Sequence, residues 1–179
     1  PANYWLLNKI SKKYKIPLIE DAAEALGSSF NNKSCGTFGK FGVLSFNGNK
    51  IITTGGGGAL VSNNKSYIKK AMFLSQQSRE KKIYYEHKQI GYNYRLSNVS
   101  ASIGFGQIQK LENFVNKRRS NFEIYKNFLQ EYEFIDYQKE FHAKNNKSYS
   151  NRWLSTFNFN IKNSNKFINS LINSLAKNN

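Results

Sequence analysis

The chain has 179 residues, enough for one domain with a hydrophobic core. Its 27 Lys and Arg outnumber 11 Asp and Glu, giving a net charge of +16, and its single cysteine excludes an internal disulfide. No apolar run reaches membrane-spanning length, and the N-terminus does not read as a signal peptide, so no membrane partner and a reducing, cytoplasmic setting are expected. The charge admits a basic nucleic-acid-binding domain as one reading. Lys and Asn are scattered along the whole chain, however, and aromatics do not interleave with a basic block, so no nucleic-acid partner is expected.

In chain order, Tyr4 to Tyr14 places Leu6, Leu7, Ile10 and Tyr14 at helical spacing. Pro17 stops that helix and opens a short apolar run, Pro17-Leu18-Ile19, which predicts a strand with Asp21 at its carboxyl end. A helix leading into a short buried strand is half of a βαβ unit. The expected class is therefore α/β, with a mainly parallel sheet and flanking helices. Ala22 to Leu26 reads as a short helical turn released by Gly27, and 31–42 as a loop whose glycines match no nucleotide-binding fingerprint. Gly42 to Phe46, Ile51 to Thr54 and Ala59 to Ser62 read as strands, the last two flanking four consecutive glycines.

Helices are predicted over Asn64 to Gln77, from a Ser97 cap onward, over Lys117 to Tyr132 and over Phe167 to Leu175. Ser78 to Leu96 reads as irregular, Glu133 to Asn151 as a polar connection, and the end of Trp153 to Asn160 as a strand. Cys35 lacks a histidine nearby in sequence and reads as a passive thiol. His87 and His142 show no ligand spacing, so no metal is expected.

The region from Pro17 to Ser62 concentrates the groups a pyridoxal phosphate site requires: an amine for the aldehyde, a carboxylate for the ring nitrogen, and donors for the phosphate. Asp21, at the carboxyl end of one predicted strand, is the candidate carboxylate, and Lys50, just beyond another, is the candidate amine. Ser45 is a candidate phosphate donor. Glu24, three residues after Asp21, would share its helical face and meet the ring hydroxyl. Each residue also has an ordinary reading: Lys50 as a solvated lysine, Asp21 as a helix cap, Ser45 as a plain strand residue.

Order and wording add to that pattern. IEDAAEALGS, then FGVLSFNGNKIITTGGGGALV, then GYNYRLSN, resemble the DegT/DnrJ/EryC1/StrS sugar aminotransferases from about Ile10 to Trp153. The resemblance implies a fold-type-I pyridoxal 5'-phosphate enzyme with Lys50 as the Schiff-base lysine. It places Asp21 on the ring nitrogen, Glu24 near the ring hydroxyl and Ser45 on the phosphate. It also implies a homodimer in which Asn93 reaches the phosphate of the neighbouring subunit, with Arg95 on the substrate. FNGNKIITT, Tyr85-Glu86-His87 and Asn151 to Thr156 are most similar to the bacillosamine-pathway branch, which moves an amino group from L-glutamate to a UDP-linked 4-keto-6-deoxy sugar. Some family members instead dehydrate, with a histidine at the lysine position.

Members of this family are considerably longer. The expectation is therefore a piece truncated at both ends: 1–112 as the latter part of the large cofactor-binding domain, and 113–179 as a connecting helix and the start of the small C-terminal domain. A non-catalytic fragment is the other reading of that length.

Overall fold

The computed structural model describes residues 1–143 and 146–178. The elements run α1 Tyr4–Tyr14, β1 Ile19–Asp21, β2 Ser29–Phe30, β3 Lys33–Ser34, β4 Phe41–Ser45 and β5 Gly58–Val61. They continue with α2 Lys65–Ser75, α3 Asn98–Ile108, α4 Leu111–Leu129, β6 Ile135–Asp136, β7 His142–Ala143, β8 Asn146–Tyr149, β9 Asn158–Phe159 and α5 Ser164–Lys177.

The α1 helix begins where Asn3 Oδ1 accepts the Leu6 amide at 3.2 Å. It ends at Lys15, which turns left-handed at φ 55° ahead of Pro17. Its first turn anchors it. Tyr4 is buried, stacked 4.0 Å from the Phe38 ring and edge-on to Phe30 at 5.8 Å. Phe30 and Cys35 complete that cluster, with Leu18, Ala25 and Phe38 packed against it. Burial pushes the Cys35 thiol above its ordinary pKa, as a passive core thiol requires.

The α/β class holds, and the sheet that positions the site is mixed, in the order β1-β4-β5. β1 and β4 run parallel with Asp21 opposite Val43; β4 and β5 run antiparallel with Ser45 opposite Gly58. The connection between β4 and β5 carries no crossover helix. It reverses through Gly55 and Gly57, whose φ values of 78° and 81° favour glycine. The Ile51 to Thr54 strand expectation is therefore not met: Ile51 and Ile52 form a bend, and Thr53 and Thr54 belong to no strand.

Beneath β1, the Glu20 side chain is buried. Its Oε2 accepts the Gly36 amide at 2.7 Å and its Oε1 the Gly39 amide at 2.6 Å. The loop it holds lies so close to β4 that a Cβ on Gly42 would stand 2.0 Å from the Gly36 carbonyl oxygen.

A second sheet, β3-β2-β8-β7, is wholly antiparallel, and β6 pairs with β9. Pairing of β2 with β8 carries residues 146–149 back to the loop after β1. The segment leading there is fixed by Arg119 of α4. Its Nη1 donates to Glu140 Oε1 and to the Ser150 carbonyl, both at 2.6 Å, and the Ser150 amide donates to Glu140 Oε1 at 2.7 Å. Burial acts to raise the Glu140 carboxyl, but the hydrogen bonds from Arg119 and Ser150 outweigh it and hold its pKa below the ordinary value.

A depressed carboxylate adds stability above its unfolded pKa and loses it as pH falls through the lower folded value. Glu140→Gln is thus expected to cost about 2 kcal/mol at neutral pH. It should also weaken the loss of stability below pH 4.5, the ordinary value for this group. Urea unfolding at pH 7 and at pH 4 measures both effects.

Candidate active site

Asp21 closes β1, and its register partner Val43 stands two residues before Ser45 on β4. Alternation along the strands therefore places Asp21, Val43 and Ser45 on one face at the carboxyl edge, opposite buried Glu20. Asp21 Oδ1 accepts the Ala23 amide at 3.2 Å, and Ser45 Oγ accepts the Asn47 amide at 3.3 Å.

Residues 22–26 form successive tight turns, with the Ala25 amide donating to the Ala22 carbonyl at 3.0 Å and the Ser28 amide to the Ala25 carbonyl at 2.8 Å. The expected helical turn is absent from this segment, so Glu24 does not share a helical face with Asp21. A distant side chain ties these turns from outside. Asn151 Nδ2 donates to the Glu24 oxygen at 2.9 Å and to the Leu26 oxygen at 2.8 Å.

The turns nevertheless bring Glu24 to Lys50. Lys50 Nζ donates to Glu24 Oε1 at 3.1 Å; the lysine side chain is only 13% exposed, while that of Glu24 is 65% exposed. The Nζ atom also lies 4.1 Å from the Trp153 ring centroid. Trp153 is buried, and its indole N–H donates to the Asn49 carbonyl at 2.6 Å. Asp21, Glu24 and Asn151 line a cavity of about 320 Å³.

The segment after Lys50 is tied from the other side by α3. The Thr53 amide donates to Gln107 Oε1 at 3.0 Å, and Gln107 Nε2 donates to the Thr53 carbonyl at 2.8 Å. A side-chain amide thus supplies the pair of bonds that a neighbouring strand would. Gln107→Ala is expected to cost about 1–2 kcal/mol, one modest bond for each contact. Hydrogen exchange at the Thr53 amide should accelerate accordingly; unchanged exchange there would contradict the assignment.

Asn93 and Arg95 stand elsewhere. With Lys69, Met72, Arg79 and Lys82 they line a cavity of about 1150 Å³ beside α2, to which Asp21, Glu24, Ser45 and Lys50 do not contribute. The sequence reading had no site role for Asn151, Trp153 or Gln107. The first two sit in the Asn151 to Thr156 phrase, which in sequence carries only a likeness. Gln107 is a polar residue in an otherwise apolar and small-residue helix.

The fold and this lysine-centred edge define a class, and comparison with known proteins gives it a name. The DegT/DnrJ/EryC1/StrS aminotransferase family profile matches residues 1–179, and the chain belongs to that family. EpsN of Bacillus subtilis, named provisionally as a pyridoxal phosphate-dependent aminotransferase, is 50% identical over 143 residues, 80% of this chain and 36% of its own length. A Campylobacter jejuni UDP-4-amino-4,6-dideoxy-N-acetyl-beta-L-altrosamine transaminase is 39% identical over 121 residues, 66% of this chain and 32% of its own. The Escherichia coli GDP-4-keto-6-deoxy-D-mannose-3-dehydratase with bound hydrated PLP superposes with a TM-score of 0.85 at 25% identity, covering 98% of this chain and 48% of that one. The chain spans about a third of the length of the curated relatives it matches.

Proposed function

We propose that this chain carries the lysine-bearing part of a pyridoxal 5'-phosphate-dependent aminotransferase acting on nucleotide-linked keto sugars. The carrying observation is the placement of Lys50 Nζ 3.1 Å from Glu24, which lines one cavity with Asp21 at the end of β1. The donor set fits the cofactor: an amine for the aldehyde, a carboxylate at the ring end, and the Ser45 hydroxyl for the phosphate on the same sheet edge.

When bound, the cofactor supplies an aldehyde carbon and an electron-withdrawing ring. Lys50 would be its attachment point and, as a free amine, would take up and return a proton at Nζ. Asp21 sets a negative charge where a ring nitrogen is best kept protonated. Ser45 would donate to the phosphate. The Glu24 carboxylate pairs with the Lys50 ammonium and would meet the ring hydroxyl.

The finer reading is transfer from L-glutamate to the C4 keto group of a UDP-linked 4-keto-6-deoxy sugar. Support comes from the bacillosamine-branch phrases and the similarity to a UDP-sugar transaminase. Incubation of the protein with glutamate and UDP- or GDP-linked keto sugar tests it, by the mass of the product. A 4-amino UDP sugar supports the reading, and a 3-deoxy product identifies a dehydratase instead. Lys50 stands where dehydrating relatives carry histidine, which favours amination.

Asn93 lines a cavity apart from Lys50, which supports a homodimer in which Asn93 serves the neighbouring subunit's site. Mixing Lys50→Ala with Asn93→Ala protein is therefore expected to restore turnover that neither has alone. Failure of mixed dimers to recover activity would contradict the shared site.

A further inference from the structure

Glu24 cannot hold Lys50 in place unaided. Its side chain is 65% exposed, and an ion pair with one solvated partner is screened and must also order a long, flexible lysine. Lys50 is nonetheless drawn in to 13% exposure, so other contacts confine it.

Residues 151–153 supply them. The Trp153 ring presents its face to Lys50 Nζ at 4.1 Å, and its indole N–H takes the carbonyl of the preceding residue, Asn49, at 2.6 Å. One buried side chain thus holds both the ammonium and the backbone that carries it. Asn151 performs the matching task for the other partner. It is 3% exposed; its amide donates to the Glu24 and Leu26 carbonyls, its Oδ1 accepts the Trp153 amide at 3.0 Å, and its own amide donates to Ser28 Oγ at 2.9 Å.

Between them Arg152 adopts φ 48°, a left-handed conformation that non-glycine residues hold only when their surroundings enforce it. Its guanidinium lies 3.8 Å from the Phe122 ring centroid, and it donates to the Gln138 carbonyl at 2.9 Å. The strained residue directs Asn151 and Trp153 toward the two loops of the Lys50–Glu24 pair.

We propose that Trp153 is a positioning residue for Lys50, setting where Nζ stands when it meets an aldehyde, and that Asn151 registers Glu24 to it. This rests on the cofactor reading given above. The test is the rate at which cofactor-free protein attaches pyridoxal 5'-phosphate at Lys50, followed by visible absorbance and located by peptide mapping. Trp153→Leu, which loses the ring face and the Asn49 bond, is expected to slow attachment about tenfold. Trp153→Phe keeps an aromatic face and should recover part of that loss at a urea midpoint matched to Trp153→Leu, which a general loss of stability would not predict.

A second readout needs no change at the site. In a Trp5→Phe background, Trp153 is the remaining tryptophan, and its fluorescence should change as the cofactor loads. Attachment by Trp153→Leu at the unaltered rate, equal slowing in the Phe and Leu variants, or unchanged Trp153 emission on loading would each overturn the proposal alone. No bond at Lys50 in the unaltered protein would overturn both this proposal and the cofactor reading.

Discussion

Replacing Lys50 with alanine is expected to abolish covalent attachment of the cofactor and to lower turnover by roughly 10³-fold or more. The size follows from Lys50 holding two roles in one atom, as attachment point and as proton carrier. Loss of general acid–base catalysis alone costs about 10²–10⁴-fold. The remaining ion pairs among the described residues, Lys82–Glu86, Arg119–Glu140 and Lys126–Glu123, involve neither Asp21 nor Glu24 and provide no substitute amine at this strand end.

Lys50→Arg separates charge from chemistry. The guanidinium can keep an ion pair with Glu24 but presents no free amine at neutral pH, so the arginine variant should be as inactive as alanine. Glu24→Gln is the contrasting case. A screened pair with a 65%-exposed partner contributes less than about 1 kcal/mol, and stability should hardly change. Steady-state kinetics and the visible spectrum of the three variants measure these outcomes.

The largest expected effect on stability is at Glu20. Glu20→Ala leaves the Gly36 and Gly39 amides without their acceptors, and a buried unsatisfied donor costs about 1–3 kcal/mol. The total expected is about 3–5 kcal/mol, read from urea unfolding. That loop carries Cys35 and Phe38 into the Tyr4 cluster and lies against β4 at Gly42, so loosening it removes support from the strand that ends at Ser45. Glu20→Gln keeps one acceptor oxygen and should cost about half as much. Equal stability of Glu20→Ala and the unaltered protein would refute the role assigned to this carboxylate.

The sequence was legible where local rules act without opposition. α1 runs Tyr4–Tyr14 as its apolar spacing and Pro17 predict, and Ser97 caps α3 by accepting the Ser100 amide at 3.1 Å. Legibility failed where a distant side chain replaced a local bond. The segment after Asp21 forms tight turns tied by Asn151 instead of a helical turn, and the β-rich stretch after Lys50 took its pairing from Gln107 rather than from a strand.

The short strands β7 and β8 gave no signal because His142–Ala143 and Asn146–Tyr149 have no apolar alternation. β8 instead pairs with β2, more than a hundred residues earlier. At the site, strand-end placement brought Asp21, Ser45 and Lys50 into view, and Glu24 proved to be Lys50's partner through tight turns instead of a helix. Trp153 stayed hidden because a buried tryptophan ordinarily signals core packing, and its contact with Lys50 spans about a hundred residues.

The most direct test of the account is to load the protein with pyridoxal 5'-phosphate, make the lysine–cofactor bond permanent with borohydride, and identify the modified lysine by mass spectrometry of its peptides. A single modified site is expected, at Lys50. Modification at another lysine, or label spread over the many surface lysines with Lys50 untouched, would contradict it.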